Sequence, residues 1–369
     1  MIFRMGKYLN VGNAGFASIR KSNYVDKTRM ISFVNGTLGT SDKLTCVSRP
    51  RRFGKSFAAK MLCAYYDRSC CSRELFEGMK ISADKSFDEY LNQYDVIYLD
   101  ITEFTSDAFI KGEIPNIVIN LEARVIEELS AAYPNVEREA DLPNMLYGIA
   151  EATGHKFIFI IDEWDALFRE DKRDSMLQES YIRLLRGLFK NSGKTDKMIE
   201  AAYMTGILPI KKYGTHSAMT DFREYTMTQP EPLEEFVGFT QQEVQELCTG
   251  SRIAFDEIRK WYDGYRMGDG VHIYSPKSVM EAIQRKRIGS YWTQSETTIQ
   301  CRDDVLTLLV HLGYLAYDID SRPVYIPNEE VREEFVRAVS AGKHTEVARL
   351  IQNKSKEHTC KIEEHRKKS

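Results

Sequence analysis

No two cysteines in this sequence have the C-x-x-C spacing of a redox or zinc motif. Its seven, Cys46, Cys63, Cys70, Cys71, Cys248, Cys301 and Cys360, are scattered. An odd, dispersed set predicts reduced thiols rather than a disulfide framework or a zinc site. Long apolar runs are also missing. None approaches the roughly 18 to 20 residues that cross a bilayer, and the first ten residues hold no apolar core of a secretory signal. The seven histidines show no H-E-x-x-H or paired ligand spacing, which argues against zinc-type catalysis. A net charge of −3 gives no chain-wide attraction for polyanions. These absences predict a soluble cytoplasmic protein with no membrane partner.

What is present is enough chain for about two domains. Five short apolar runs, at 44–48, 96–101, 157–161, 198–205 and 224–228, read as strands. Helical patterns lie between them at 56–66, 117–133, 142–153 and 176–190. Strands alternating with helices predict an α/β fold with a mostly parallel sheet covered on both faces. The run Phe157-Ile158-Phe159-Ile160-Ile161 lacks polar alternation, as a central strand buried on both sides should. Pro230 and Pro232 break the pattern, so the first domain is expected to span 1–230. Beyond them, short helices at 240–248, 256–262, 276–284 and 303–313 predict a smaller, mainly helical domain over 231–340. Thr240 and Glu243 there have capping-box spacing. The polar stretch 341–369 is expected to fray.

The chemistry concentrates in Arg49-Pro50-Arg51-Arg52-Phe53-Gly54-Lys55-Ser56, which joins the first strand to a helix. A strand, a tight loop, Gly-Lys-Ser and a helix form the arrangement that grips a nucleoside triphosphate. Loop amides and the helix N-terminus face the phosphates, the lysine reaches the β/γ oxygens, and the serine can ligate Mg²⁺. Arg49 stands where the usual pattern has its first glycine, which predicts a differently shaped loop. Arg49, Arg51 and Arg52 suit phosphate contact, pairing with acids, or solvation of the loop equally well.

Asp162-Glu163 follows the most apolar strand. Phosphoryl transfer needs a carboxylate near Mg²⁺ and a group to orient the attacking water, and these two acids suit those roles in that order. The plain alternative is that they cap the next helix. Ligands of parallel sheets bind at the carboxyl ends of the strands, where both elements lie. Thr205 ends the fourth strand. It reads either as a residue facing the γ-phosphate or its water, or as an ordinary strand end. Arg183 and Arg186 fit a solvated helix face better than arginine fingers across subunits.

Five stretches coincide in order: Tyr24-Val25-Asp26-Lys27-Thr28, the 48–56 loop, Ile161-Asp162-Glu163-Trp164-Asp165, Thr205-Gly206-Ile207-Leu208-Pro209-Ile210, and Tyr262-Asp263-Gly264-Tyr265. Together they resemble the AAA-ATPase-like family, P-loop NTPases of AAA/ASCE type, over about Gly6 to Phe335. The family's own loop carries an arginine at the position of Arg49. The resemblance implies ATP and Mg²⁺ as cofactors. It assigns phosphate contact to the Arg52-Phe53-Gly54-Lys55-Ser56 loop, Mg²⁺ ligation to Ser56 and Asp162, and water activation to Glu163. It also implies a sensor role for Thr205 on a strand between the two nucleotide-bearing ones, and an adenine-side role for Tyr24 and Asp26. Trp164 stands where the family usually has tyrosine. Family members commonly carry a PD-(D/E)XK nuclease-like domain after this region, but the stretch beyond about Phe335 shows no strand with paired acids, so nuclease activity is not expected.

Two readings of function stay open here. One is a Mg²⁺-dependent ATPase whose nucleotide state switches the second domain or a partner, another copy of the chain included. The other is a non-hydrolysing nucleotide-binding module. A nucleic-acid partner is suggested only by that nuclease association and by the basic stretches 49–52 and 285–287.

Overall fold

The computed structural model describes residues 5–170, 175–190, 192–210, 221–291, 306, 309–317 and 324–341. The expected tail beyond 341 and five of the eleven residues of the helix expected at 303–313 lie outside these. The chain divides into two compact units, Met1–Val237 and Gly238–Ser369.

The first unit is built on five strands: β1 (Leu44–Ser48), β2 (Asp95–Asp100), β3 (Phe157–Asp162), β4 (Ile199–Gly206) and β5 (Arg223–Tyr225). They lie in the order β2-β3-β4-β1-β5, and every neighbouring pair is parallel. Parallel neighbours need crossover connections, and helices supply most of them. Lys55–Tyr66 follows β1, Ile117–Ala132 and Leu142–Thr153 stand between β2 and β3, and Ser175–Phe189 precedes β4. Every residue of β3 is buried. That burial answers the apolar run directly, because each large apolar side chain removed from water contributes about 1.5–3 kcal/mol. Phe157, Phe159 and Ile161 join a core with Val125, Leu146 and Leu185 of the covering helices.

Two expectations shift at the strand ends. β3 runs one residue further than its apolar stretch, so that Asp162 pairs in register with Asp100 of β2. β5 stops at Tyr225, three residues before the end of its predicted run. The cause is Thr226, whose hydroxyl accepts from Thr228 N and Gln229 N, both at 3.2 Å, and folds the backbone into a turn.

In the second unit, helices Gln241–Cys248, Phe255–Tyr262, Pro276–Arg285 and Glu329–Ala341 are joined by strands that the pattern did not predict. β6 (Phe239–Thr240), β7 (Tyr265–Met267) and β8 (Val271–Tyr274) form an antiparallel sheet in the order β6-β8-β7, and β9 (Ala316–Tyr317) pairs with β10 (Val324–Tyr325). Runs of two to four residues are too short to display a period of two. The capping box is present: Glu243 N donates to the Thr240 hydroxyl at 3.3 Å, and Thr240 N donates to the Glu243 carboxylate at 2.8 Å.

Candidate active site

β1 delivers the 49–54 loop to the carboxyl edge of the sheet, where Arg49 N donates to Gly206 O at 3.1 Å. The loop takes its left-handed residues at Arg52 (φ +70°) and Gly54 (φ +91°). A non-glycine residue in that region costs on the order of 1–2 kcal/mol, so Arg52 adds strain that the surroundings must hold. At Gly54 a side chain would meet nothing within 4 Å. Glycine is needed there for its backbone angle, and the space beside it is open. No side chain caps the helix that starts at Lys55, and an uncapped helix N-terminus suits an anion.

Phe53 is fully buried. Its ring anchors the loop in the core, and it can meet a ligand only through its main chain. Arg52 is exposed and Ser56 half-buried. Arg49 is fully buried: Nη1 donates to Ser48 O and Tyr225 O, both at 3.0 Å, tying the ends of β1 and β5 together. Burial pulls its pKa down to about 10, against the opposing pull of Tyr203, Glu234 and Glu231. Arg49 is thus a buried structural cation, and solvation of the loop is not its role.

Lys55 is only 3 % exposed. Its ammonium donates to Arg49 O and Pro50 O, both at 3.1 Å, and lies 3.3 Å from Glu163 Oε1. β3 carries Asp162 and Glu163 to the same edge, and β4 between β1 and β3 carries Thr205. Thr205 is fully buried, and its hydroxyl donates to Asp162 Oδ1 while accepting from Glu163 N at 3.2 Å. The hydroxyl therefore ties the Asp162 carboxylate to the main chain of Glu163. Glu163 sits at φ +53°, a second left-handed non-glycine residue. Burial pushes its pKa up, but the Lys55 ammonium and the Arg169 guanidinium outweigh that and bring it below the usual carboxylate value. Glu163 is therefore ionised at neutral pH.

Neighbouring residues extend this cluster beyond what sequence reasoning identified. Arg169 Nη2 donates to Glu163 Oε2 at 2.6 Å, and its Nε lies 3.3 Å from Asp165 Oδ2. Asp165, fully buried, accepts from Ile207 N at 3.2 Å and Leu208 N at 2.9 Å, fixing the loop after β4. The i,i+4 spacing of Asp165 and Arg169 was a readable signal. Asp100 caps the helix Ile101–Lys111 by accepting from Thr102 N at 3.0 Å and Glu103 N at 3.3 Å. Its pKa is raised by burial and then by the neighbouring Asp162.

Tyr24 and Asp26 lie to one side. Tyr24 donates to Met61 Sδ at 3.4 Å and packs edge-on against Phe16. Met61 stands six residues into the helix after Gly54-Lys55, roughly 9 Å along its axis. Both Asp26 oxygens are engaged within the fold: Oδ1 accepts from Thr28 N at 2.9 Å and Thr28 Oγ1 at 2.6 Å, and Oδ2 accepts from Lys80 N at 2.8 Å. Arg183 and Arg186 are exposed. Among the described residues, no group of three or more acidic, histidine or cysteine side chains could hold a metal by itself, and no helix is long and apolar enough to cross a membrane.

The donor set fits a nucleoside triphosphate with Mg²⁺. Uncapped amides, open space at Gly54 and the Lys55 ammonium suit a polyphosphate, and one hydroxyl with one carboxylate is the sparse protein ligation that Mg²⁺ takes beside phosphates. A family model described as a predicted AAA-ATPase matches residues 10–215, more than half of the chain. No curated protein matches it.

Proposed function

The chain belongs to the AAA-ATPase-like family of predicted AAA-ATPases, and from that premise we propose that it binds ATP with Mg²⁺ and hydrolyses it at the carboxyl edge of the β1–β3 sheet. One observation carries the reading. Gly54-Lys55-Ser56 and Asp162-Glu163, far apart in sequence, meet across β4 with Lys55 Nζ 3.3 Å from Glu163 Oε1.

In this reading the first amides of the helix and the Lys55 ammonium hold the β- and γ-phosphates. Ser56 and Asp162 hold Mg²⁺, which neutralises charge on the phosphate oxygens when bound. Glu163, ionised, orients a water molecule and accepts its proton. Thr205 orients the Asp162 carboxylate against the main chain of Glu163 through its single hydroxyl. Tyr24, Asp26 and their loop are assigned the nucleoside side only in this proposal.

Two comparisons test it. A fluorescent ATP analogue should bind wild type with Mg²⁺ and lose most affinity in Lys55→Ala; equal affinity in both would contradict the phosphate role. Phosphate release should fall at least about 100-fold in Glu163→Gln; unchanged turnover would favour the non-hydrolysing module. In the basic stretches Arg49 is buried and Arg285 is paired with Glu281, while Arg51, Arg52, Lys286 and Arg287 are exposed, and a nucleic-acid partner is not part of this proposal.

A further inference from the structure

We propose that Arg169 is a positioning residue for this site, holding the Glu163 carboxylate in register with the loop that follows β4. The inference rests on the ATPase reading above and adds a residue that the motifs do not contain. Glu163 has two cations on it, Lys55 at 3.3 Å and Arg169 at 2.6 Å. If Lys55 serves the phosphates, its ammonium leaves the carboxylate when they arrive, and Arg169 stays as the cation that orients it. A carboxylate that must present one oxygen to water needs its other oxygen fixed. Arg169 holds Oε2 and leaves Oε1 to whatever replaces Lys55.

Arg169 is itself held. Its Nε lies 3.3 Å from Asp165 Oδ2, an ion-pair contact rather than a hydrogen bond, and Asp165 is fully buried and accepts from Ile207 N and Leu208 N. The main chain of Glu163 is tied to the same strand end, through Glu163 N to the Thr205 hydroxyl and Trp164 N to Thr205 O at 2.8 Å. Glu163 is thus clamped twice against the end of β4, once by its backbone and once through Arg169 and Asp165. An ordinary helix-start ion pair is solvated and contributes little, whereas here the Arg169 side chain is 10 % exposed and that of Asp165 not at all. The spread-out guanidinium hydrogen-bonds Glu163 and keeps its charge beside Asp165 at the same time, whereas a lysine ammonium is a compact charge suited to one acid.

The test is MgATP hydrolysis by the full chain, with kcat and KM measured for wild type, Glu163→Gln, Arg169→Met, Arg169→Lys, Asp165→Asn and the Arg169→Met/Asp165→Asn double variant. Asparagine at 165 can still accept from Ile207 N and Leu208 N while losing the charge that holds Arg169. A misplaced base predicts that Arg169→Met lowers kcat by about tenfold or more, with KM within about threefold. Arg169→Lys should recover part of that loss. Asp165→Asn should reproduce part of it, and the double variant should be no slower than Arg169→Met, because both act through one clamp. A merely structural ion pair would lower the melting temperature and leave kcat per folded molecule unchanged, and that result overturns the proposal. So do losses that multiply in the double variant. Should Arg169→Met not fold, wild-type kcat in both Arg169→Lys and Asp165→Asn overturns it equally. If wild type releases phosphate no faster than Glu163→Gln, the ATPase reading fails and takes this inference with it. If Glu163→Gln is inactive but the Arg169 and Asp165 variants turn over normally, the inference alone fails.

Discussion

Replacing Glu163 by glutamine should do more than stop hydrolysis: it should tighten nucleotide binding. The Lys55 ammonium is held by two loop carbonyls and lies 3.3 Å from Glu163. A nucleotide that needs this lysine must first take it from the acid. At an effective dielectric of 20, opposite unit charges at that distance attract by about 5 kcal/mol before solvation is counted. Desolvation and the competing hold of Arg169 on the same carboxylate reduce the net coupling to about 1–2 kcal/mol. Removing it should lower the Kd about 5- to 30-fold. A glutamine also repels phosphates less than a carboxylate does, so a second comparison is needed. In a Lys55→Ala background the pair is already gone, and Glu163→Gln should gain only the smaller repulsion effect. The assay is titration of a fluorescent non-hydrolysable ATP analogue with Mg²⁺ into wild type, each single variant and the double variant. Unchanged or weaker binding by Glu163→Gln would refute the reasoning. An equally large gain in the Lys55→Ala background would show that the lysine is not what the acid restrains.

Three further outcomes follow from the packing around the site. Gly206→Ala would place a methyl carbon 2.5 Å from Trp164 Nε1 and 2.6 Å from its Cδ1. Trp164 is fully buried and cannot swing away, so urea denaturation should show a loss of about 1–3 kcal/mol, and wild-type stability would contradict the packing. Asp100→Asn keeps the helix cap but removes a carboxylate whose folded pKa is raised by burial and by Asp162. A raised acid pKa means the charged form costs stability above the folded pKa, and this cost fades as pH falls through it. The variant should be more stable than wild type at neutral pH, with the gain disappearing at acid pH; a gain independent of pH, or none, would reject that cause. Thr240→Ala removes one half of the capping box and should weaken hydrogen-exchange protection over Gln241–Cys248 by about 1 kcal/mol, whereas wild-type protection there would mean the box contributes nothing.

The parallel sheet was legible because its strands carry their own signal. A run such as Phe157–Asp162, buried at every residue, has no stable place but the middle of a covered sheet. The Gly-Lys-Ser turn and the acids after β3 were legible for a different reason, since each is a local chemical pattern with few structural uses. What could not be read was the set of contacts that exist only once strands are neighbours. Asp165 meets the amides of Ile207 and Leu208 because β3 lies beside β4, and nothing local to either segment announces it. Arg49 reads as a loop cation, yet the adjacency of β1 and β5 adds the Tyr225 carbonyl to that of Ser48 as its partners, and the side chain is out of water. In the second unit the β7–β8 hairpin left one overlooked trace, Asp269-Gly270, a dipeptide that favours tight hairpin turns.

Contacts made across the strand ends also balance the charges of the site. Lys55, Glu163, Asp165 and Arg169 stand within one largely buried cluster, and the side chains of Lys55, Asp165 and Arg169 are all at or below 10 % exposure. An unpaired charge in such a place costs several kcal/mol, and these four side chains offset one another: Glu163 balances Lys55, and Arg169 balances Glu163 and Asp165. On the proposed function, binding exchanges one partner for another: the lysine would pass from carboxylate to phosphate, and the carboxylate, left with Arg169, would turn its freed oxygen to water. The Lys55–Glu163 ion pair would then couple occupancy of the phosphate loop to exposure of the base.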